Sequence, residues 1–197
     1  LNQPKYIKDY LNIVVYSGFG EGVSLFTSFG MLLSLSMPEI NKFSGLETIV
    51  NYSIKDEQVH FTSMLKLIKE ELFNNFTAYE KDFVKEFILE FVDKLYNVEK
   101  DFILYTFKDT GITHITAQDM LDYLTTIIDE RLQYLFNINL YKSAESTQST
   151  KIKDWITFKI GGEIQEQFFE VKATAYTKGG VDMTTLHKCN FTLGGAV

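Results

Sequence analysis

Within "SIKDEQVHF" (residues 53–61), two carboxylates, Asp56 and Glu57, stand near one imidazole, His60, in an otherwise amphipathic segment. Positions three apart on an α-helix share a face about one turn apart, so Glu57 and His60 can reach a common point. Helical bundles bind metal in their core with such Glu-x-x-His pairs. Carboxylates supply hard, anionic oxygen that can bridge two ions, and a neutral imidazole adds a nitrogen suited to Fe(II). For the pair alone, the alternative is an exposed glutamate beside a hydrogen-bonded histidine. A third carboxylate, Glu21, lies in the middle of the most apolar helical pattern, "SGFGEGVSLFTSF". Burying an unpaired carboxylate carries a heavy desolvation cost, so Glu21 requires a partner or a metal.

The helices that carry these residues can be placed by pattern. A first helical stretch is expected from Tyr6 to Ser36, broken by "MPEINKFSG" with Pro38, Asn41 and Gly45. A second runs from Leu46 to Leu72 and holds Asp56, Glu57 and His60. From Glu21 to the break is about 16 residues, or roughly 24 Å of helix, and from Gly45 back to Glu57 about 12 residues, roughly 18 Å. Two antiparallel helices then bring Glu21 and Glu57 to nearly the same height. Gly18, Gly20 and Gly22 would permit close helix approach there, or else merely loosen the helix.

A third helix reaches Phe107, with Phe83, Phe87, Phe91, Leu95 and Phe102 at helical spacings. Thr116 and Asp119 form an N-terminal capping pattern for a fourth, ending near Leu140. "KSAESTQSTK" reads as polar and solvated, and a fifth helical segment spans Ile152 to Tyr176 before a Gly-containing tail. The expectation is an all-α bundle with a flexible C-terminal tail, divided at 1–176 and 177–197.

Composition narrows the function classes. The 197 residues are 45% hydrophobic and contain two prolines, which suits a mainly helical domain with a substantial core. A net charge of −7 without a basic run argues against nucleic acid as a partner. Each apolar run is interrupted before it reaches membrane-spanning length. One cysteine, Cys189, excludes an internal disulfide framework and suits a reducing cytoplasm. Any metal site must therefore use carboxylates and histidine.

The order of several blocks resembles the ribonucleotide reductase small subunit, the radical-generating component of that enzyme. "GFGEGVSLFTSF" followed by "NYSIKDEQVHF" looks like the second half of that family's metal site, a Glu in an aromatic-rich helix and then an Arg-Asp-Glu-x-x-His block, here with Lys55 in place of Arg. "TAQDMLDYLTTIIDERL" resembles its penultimate helix, Trp155 with "EQFFEVKATAYTKGG" the passage from last helix to tail, and "NFTL" the terminal docking peptide. The resemblance implies a ferritin-like helical bundle, present here as its C-terminal helices.

It further implies that Glu21, Glu57 and His60 are ligands of a di-iron centre, or of one containing manganese. Asp56 would orient a metal-bound His and join the radical-transfer route. Leu25 and Phe29 would shield the radical, and Tyr176 would relay oxidising equivalents from the tail. Phe191 and Leu193 would anchor in the large subunit, the protein being a homodimer. The implied activity is generation of a radical for deoxyribonucleotide synthesis in that partner.

Two more carboxylates and a second His belong to such a site, and this chain contains no second Glu-x-x-His. His114 and His187 are expected in a loop and in the tail. The isolated chain is therefore expected to be inactive and to expose apolar surface, as a truncated sequence or one piece of a split subunit. Ending in "LGGAV" rather than in acidic residues and an aromatic also departs from the family pattern. Two other readings share these residues: a related di-metal carboxylate oxidase without a relay tail, and a metal-free helical protein that binds a partner.

Overall fold

The computed structural model describes residues 3–109, 112, 114–142 and 147–161. The chain divides into two units, Leu1–Ile160 and Gly161–Val197. The boundary expected near 176, Tyr176, His187, Phe191 and Leu193 lie outside the described residues.

The first rod comprises α1 (Gln3–Phe19), a π-helical segment π1 (Gly20–Leu25) and α2 (Phe26–Ser34). A turn follows in which Asn41 and Phe43 take left-handed backbone angles, φ 46° and 60°. Gly45, expected in the break, instead falls in the first turn of α3 (Ser44–Lys66). That helix runs on through a second π-helical segment, π2 (Leu67–Leu72), into the short α4 (Phe73–Asn75). α5 (Ala78–Phe107) and α6 (Ala117–Phe136) pack against each other, and α7 (Thr147–Gly161) follows. Among the described residues there is no strand, only an isolated bridge between Ile112 and Ile115.

Local chemistry sets the helix ends. α5 opens with a capping box: Thr77 Oγ1 accepts from the Glu80 N–H at 3.3 Å, and Glu80 Oε2 accepts from the Thr77 N–H at 2.8 Å. Thr116 and Asp119 make the same reciprocal pair for α6, as their spacing predicts. Each such cap is worth about 1 kcal/mol. α6 stops at Phe136, earlier than Leu140, because Asn137 adopts a left-handed cap. Lys69 Nζ then donates to the Tyr134 carbonyl at 2.6 Å, placing a cation at the negative end of that helix. Buried Asp129 accepts N–H bonds from Leu140, Tyr141 and Lys142 at 2.8, 3.1 and 3.1 Å and folds the following segment back onto α6.

The core runs through Leu11, Val15, Phe19 and Val23 on the first rod, Ile54 and Leu65 on α3, and Leu124, Ile128 and Leu132 on α6. On α5 the fully buried positions are Val84, Ile88, Val92 and Ile103, while Phe83, Phe87, Phe91 and Leu95 flank the core and Phe102 reaches the surface. α7 begins within the stretch expected to be solvated. Ile152 and Ile156 bury its inner face. Its lysines are tied to three other parts of the fold, Lys151 to Glu39 at 2.6 Å, Lys153 to Glu130 at 2.7 Å, and Lys159 to Glu47.

Candidate metal centre

The first rod and α3 pack side by side, and their closeness has a visible cause. Gly22 and Gly18 face α3: a Cβ on Gly22 would fall 2.9 Å from Phe61 Cγ, and one on Gly18 3.2 Å from Met64 Cβ. Gly20 would meet nothing, so close approach rests on two of the three glycines. π-helical turns inside α-helices recur at functional sites, and Glu21 sits in π1.

The packing brings Glu21, Glu57 and His60 together, with one ligand atom from each lying within 4.8 Å of the others. His60 Nδ1 is 3.2 Å from Glu57 Oε2, a hydrogen bond when that nitrogen carries the proton, and 3.7 Å from Glu21 Oε2. The second distance is too long for a hydrogen bond. Glu21 Oε2 is buried with no hydrogen-bond partner. A buried carboxylate oxygen without a donor is costly, and a cation at this point would satisfy it. Two carboxylates and an imidazole are the donor set that iron or manganese accepts. The residues therefore fit a metal ion.

The cluster is open on one side. The His60 side chain is 56% exposed, against 30% for Glu21 and 19% for Glu57. Asp56 is exposed and is not one of the three converging residues. Phe29 is buried, whereas Leu25 is 37% exposed. His114 is exposed in a turn with φ 69°, off any helix, as expected.

One residue beside the cluster is not apparent from sequence pattern. The Arg131 guanidinium of α6 lies 4.4 Å from the Phe61 ring centroid and 5.6 Å from that of Phe26. Its only sign in the sequence is compositional: Arg131 is the chain's single arginine among 19 basic residues.

Helices carrying Glu on one and Glu-x-x-His on the next define the ferritin-like class of helical bundle. A family model described as "Ribonucleotide reductase, small chain" matches residues 2–149. The chain belongs to that family. It is 29% identical over 171 residues to the probable ribonucleoside-diphosphate reductase small subunit of Invertebrate iridescent virus 3, covering 87% of this chain and 44% of that one. To the ribonucleoside-diphosphate reductase subunit beta of Halalkalibacterium halodurans it is 28% identical over 178 residues, covering 89% and 49%. A second viral relative, from Invertebrate iridescent virus 6, is 28% identical over 193 residues, covering 85% and 52%. The chain spans about half the length of the curated relatives it matches. No helix among the described residues is long and apolar enough to cross a membrane.

Proposed function

We propose that this chain acts as part of the small subunit of a class I ribonucleoside-diphosphate reductase, with Glu21, Glu57 and His60 as ligands of a di-metal centre. The observation that carries the reading is the convergence of these three side chains around a buried, donor-less oxygen of Glu21. A bound metal pair would supply the oxidising power toward O2 from which the radical is made. The chain's own part is positional. Glu57 and His60 present two donors from one helix face, and Glu21 brings a third from the facing rod.

Three donors are too few to hold two ions firmly, so the reading requires further ligand residues entering on the side where His60 is exposed. A large subunit is the expected partner, with reduction of the ribonucleotide taking place there. Asp56 and Tyr176 are assigned to radical transfer, Phe191 and Leu193 to docking, and the cytoplasm is the expected site of action.

The test is metal content. Iron or Co2+ bound by the chain, alone and mixed with a polypeptide carrying the complementary ligands, is measured for the parent and for Glu57→Ala and His60→Ala. The reading expects each substitution to lower binding about tenfold or more while circular dichroism stays helical. If both variants keep the parent's metal content and assembly, a metal-free, partner-binding role replaces it.

A further inference from the structure

Glu21 and His60 are each one residue away from the same aromatic contact. Phe61 follows His60 on α3, is buried, and meets Phe26 edge-on at 5.1 Å between ring centroids. Gly22 follows Glu21 and leaves just enough room for that ring. The third wall is the Arg131 guanidinium, whose carbon lies 4.4 Å from the Phe61 ring centroid and 5.6 Å from that of Phe26.

Arg131 is an expensive choice for this position. Its side chain is 13% exposed, and its Nε is buried without a hydrogen-bond partner. Its charge is balanced on one side by Glu130, at 2.9 Å, which also pairs with Lys153 at 2.7 Å. A lysine could pair with Glu130, and lysine is the basic residue used everywhere else in this chain. What lysine lacks is a flat, weakly hydrated cation that lies across a ring face. The one arginine therefore stands where a flat, weakly hydrated cation, and not only a point charge, faces two rings.

We propose that Arg131 is a positioning residue for the ligand cluster: its guanidinium clamps Phe61 against Gly22 and thereby sets the separation of Glu21 from Glu57 and His60. The role rests on the metal-centre reading above for its purpose, but not for its geometry. It differs from ordinary packing in a way that can be measured. Glu130 is 38% exposed and keeps Lys153 at 2.7 Å when the arginine is lost, so methionine, of similar length and apolar, would preserve a role in packing alone.

The experiment compares the full chain with Arg131→Met and Arg131→Lys by three readouts: thermal unfolding, amide hydrogen exchange at Gly20–Leu25, and Co2+ affinity from visible absorption. Arg131→Met is expected to melt near the parent temperature while exchange across π1 speeds about tenfold and Co2+ binding weakens about tenfold, the usual scale for residues that orient ligands. Arg131→Lys should fall between the two. Parent-like exchange and affinity in Arg131→Met would overturn the proposal. So would a uniform rise in exchange along all helices, which marks plain loss of packing. Should Arg131→Met fail to fold, parent-like π1 exchange in folded Arg131→Lys overturns it equally. If the parent binds no Co2+ even when mixed with a polypeptide carrying the complementary ligands, the metal reading fails, and exchange at π1 alone decides the clamp.

Discussion

At the residue scale, the site depends on atoms that are absent. Gly22 has no Cβ where Phe61 needs room. Gly22→Ala is therefore expected to destabilise the fold by about 1–3 kcal/mol, the range for overpacking a tight contact, as read from urea unfolding. Tyr141 is the opposite case, a polar atom present without use. Its hydroxyl is buried with no hydrogen-bond partner, and its ring lies tilted against Tyr96 with centroids 4.8 Å apart. Burial, reinforced by Asp93, Tyr96 and Asp129, pushes the phenol up to about 12. Because the folded value lies above the unfolded value of about 10, the folded state holds the proton more tightly. This contribution is complete below about pH 10 and is lost as the pH rises toward about 12. Tyr141→Phe should remove that alkaline slope, with neutral-pH stability unchanged or raised by up to about 1 kcal/mol. Stability measured by denaturant from about pH 8 to about pH 12 checks both statements. Glu21, Glu57 and His60 are legible in the sequence because helical spacing and helix length are one-dimensional quantities. Arg131 is not, since a cation set against rings of two other elements is a product of packing.

At the element scale, α7 shows where polarity misleads. The stretch leading into it is rich in Ser, Thr and Lys, the composition of a solvated loop, yet α7 starts at Thr147. The lysines are satisfied by Glu39, Glu130 and Glu47 from distant parts of the chain, and no local pattern reveals such partners. The Lys159–Glu47 pair is the most buried of the three and fastens α7 to the first turn of α3, with Lys159 also 4.6 Å from the Trp155 ring centroid. Lys159→Ala leaves Glu47 short of a counter-charge and is expected to cost about 3 kcal/mol. The double change Lys159→Met with Glu47→Leu should recover most of it. A double-mutant cycle in urea gives the answer, with a coupling near zero excluding the pair as a fastener. The capping boxes are readable from sequence because Thr and an acid three residues on interact within a single turn.

For the whole molecule, the main helices follow from periodicity, whereas the two π-helical segments do not, because they are a backbone response to packing. The helix that carries His60, α3, also exposes Ile49, Tyr52 and Val59, at 69%, 60% and 64%. Ile13 and Tyr16 add further exposed apolar surface on α1. Single exposed apolar residues are ordinary, but several on one helix make a surface prone to association. Replacing Ile49, Tyr52 and Val59 by Lys should reduce self-association of the chain in sedimentation velocity without loss of helicity; unchanged association would place the sticky surface elsewhere. The π turn in the first rod bears on which changes of length this family can tolerate. A π turn holds one residue more than an α turn, and in an α-helix each residue advances the side-chain direction by about 100°. The inward-facing positions of α1 and α2 are thus offset by one in residue number, and Glu21 sits within the turn that takes up the extra residue. Deleting any one residue between Gly20 and Leu25 would let the rod close into plain α-helix. The two ends would keep facing as they do, because the π turn accommodates its extra residue within one turn, so the loss would move Glu21 relative to α3 while leaving the packing of α1 and α2 in place.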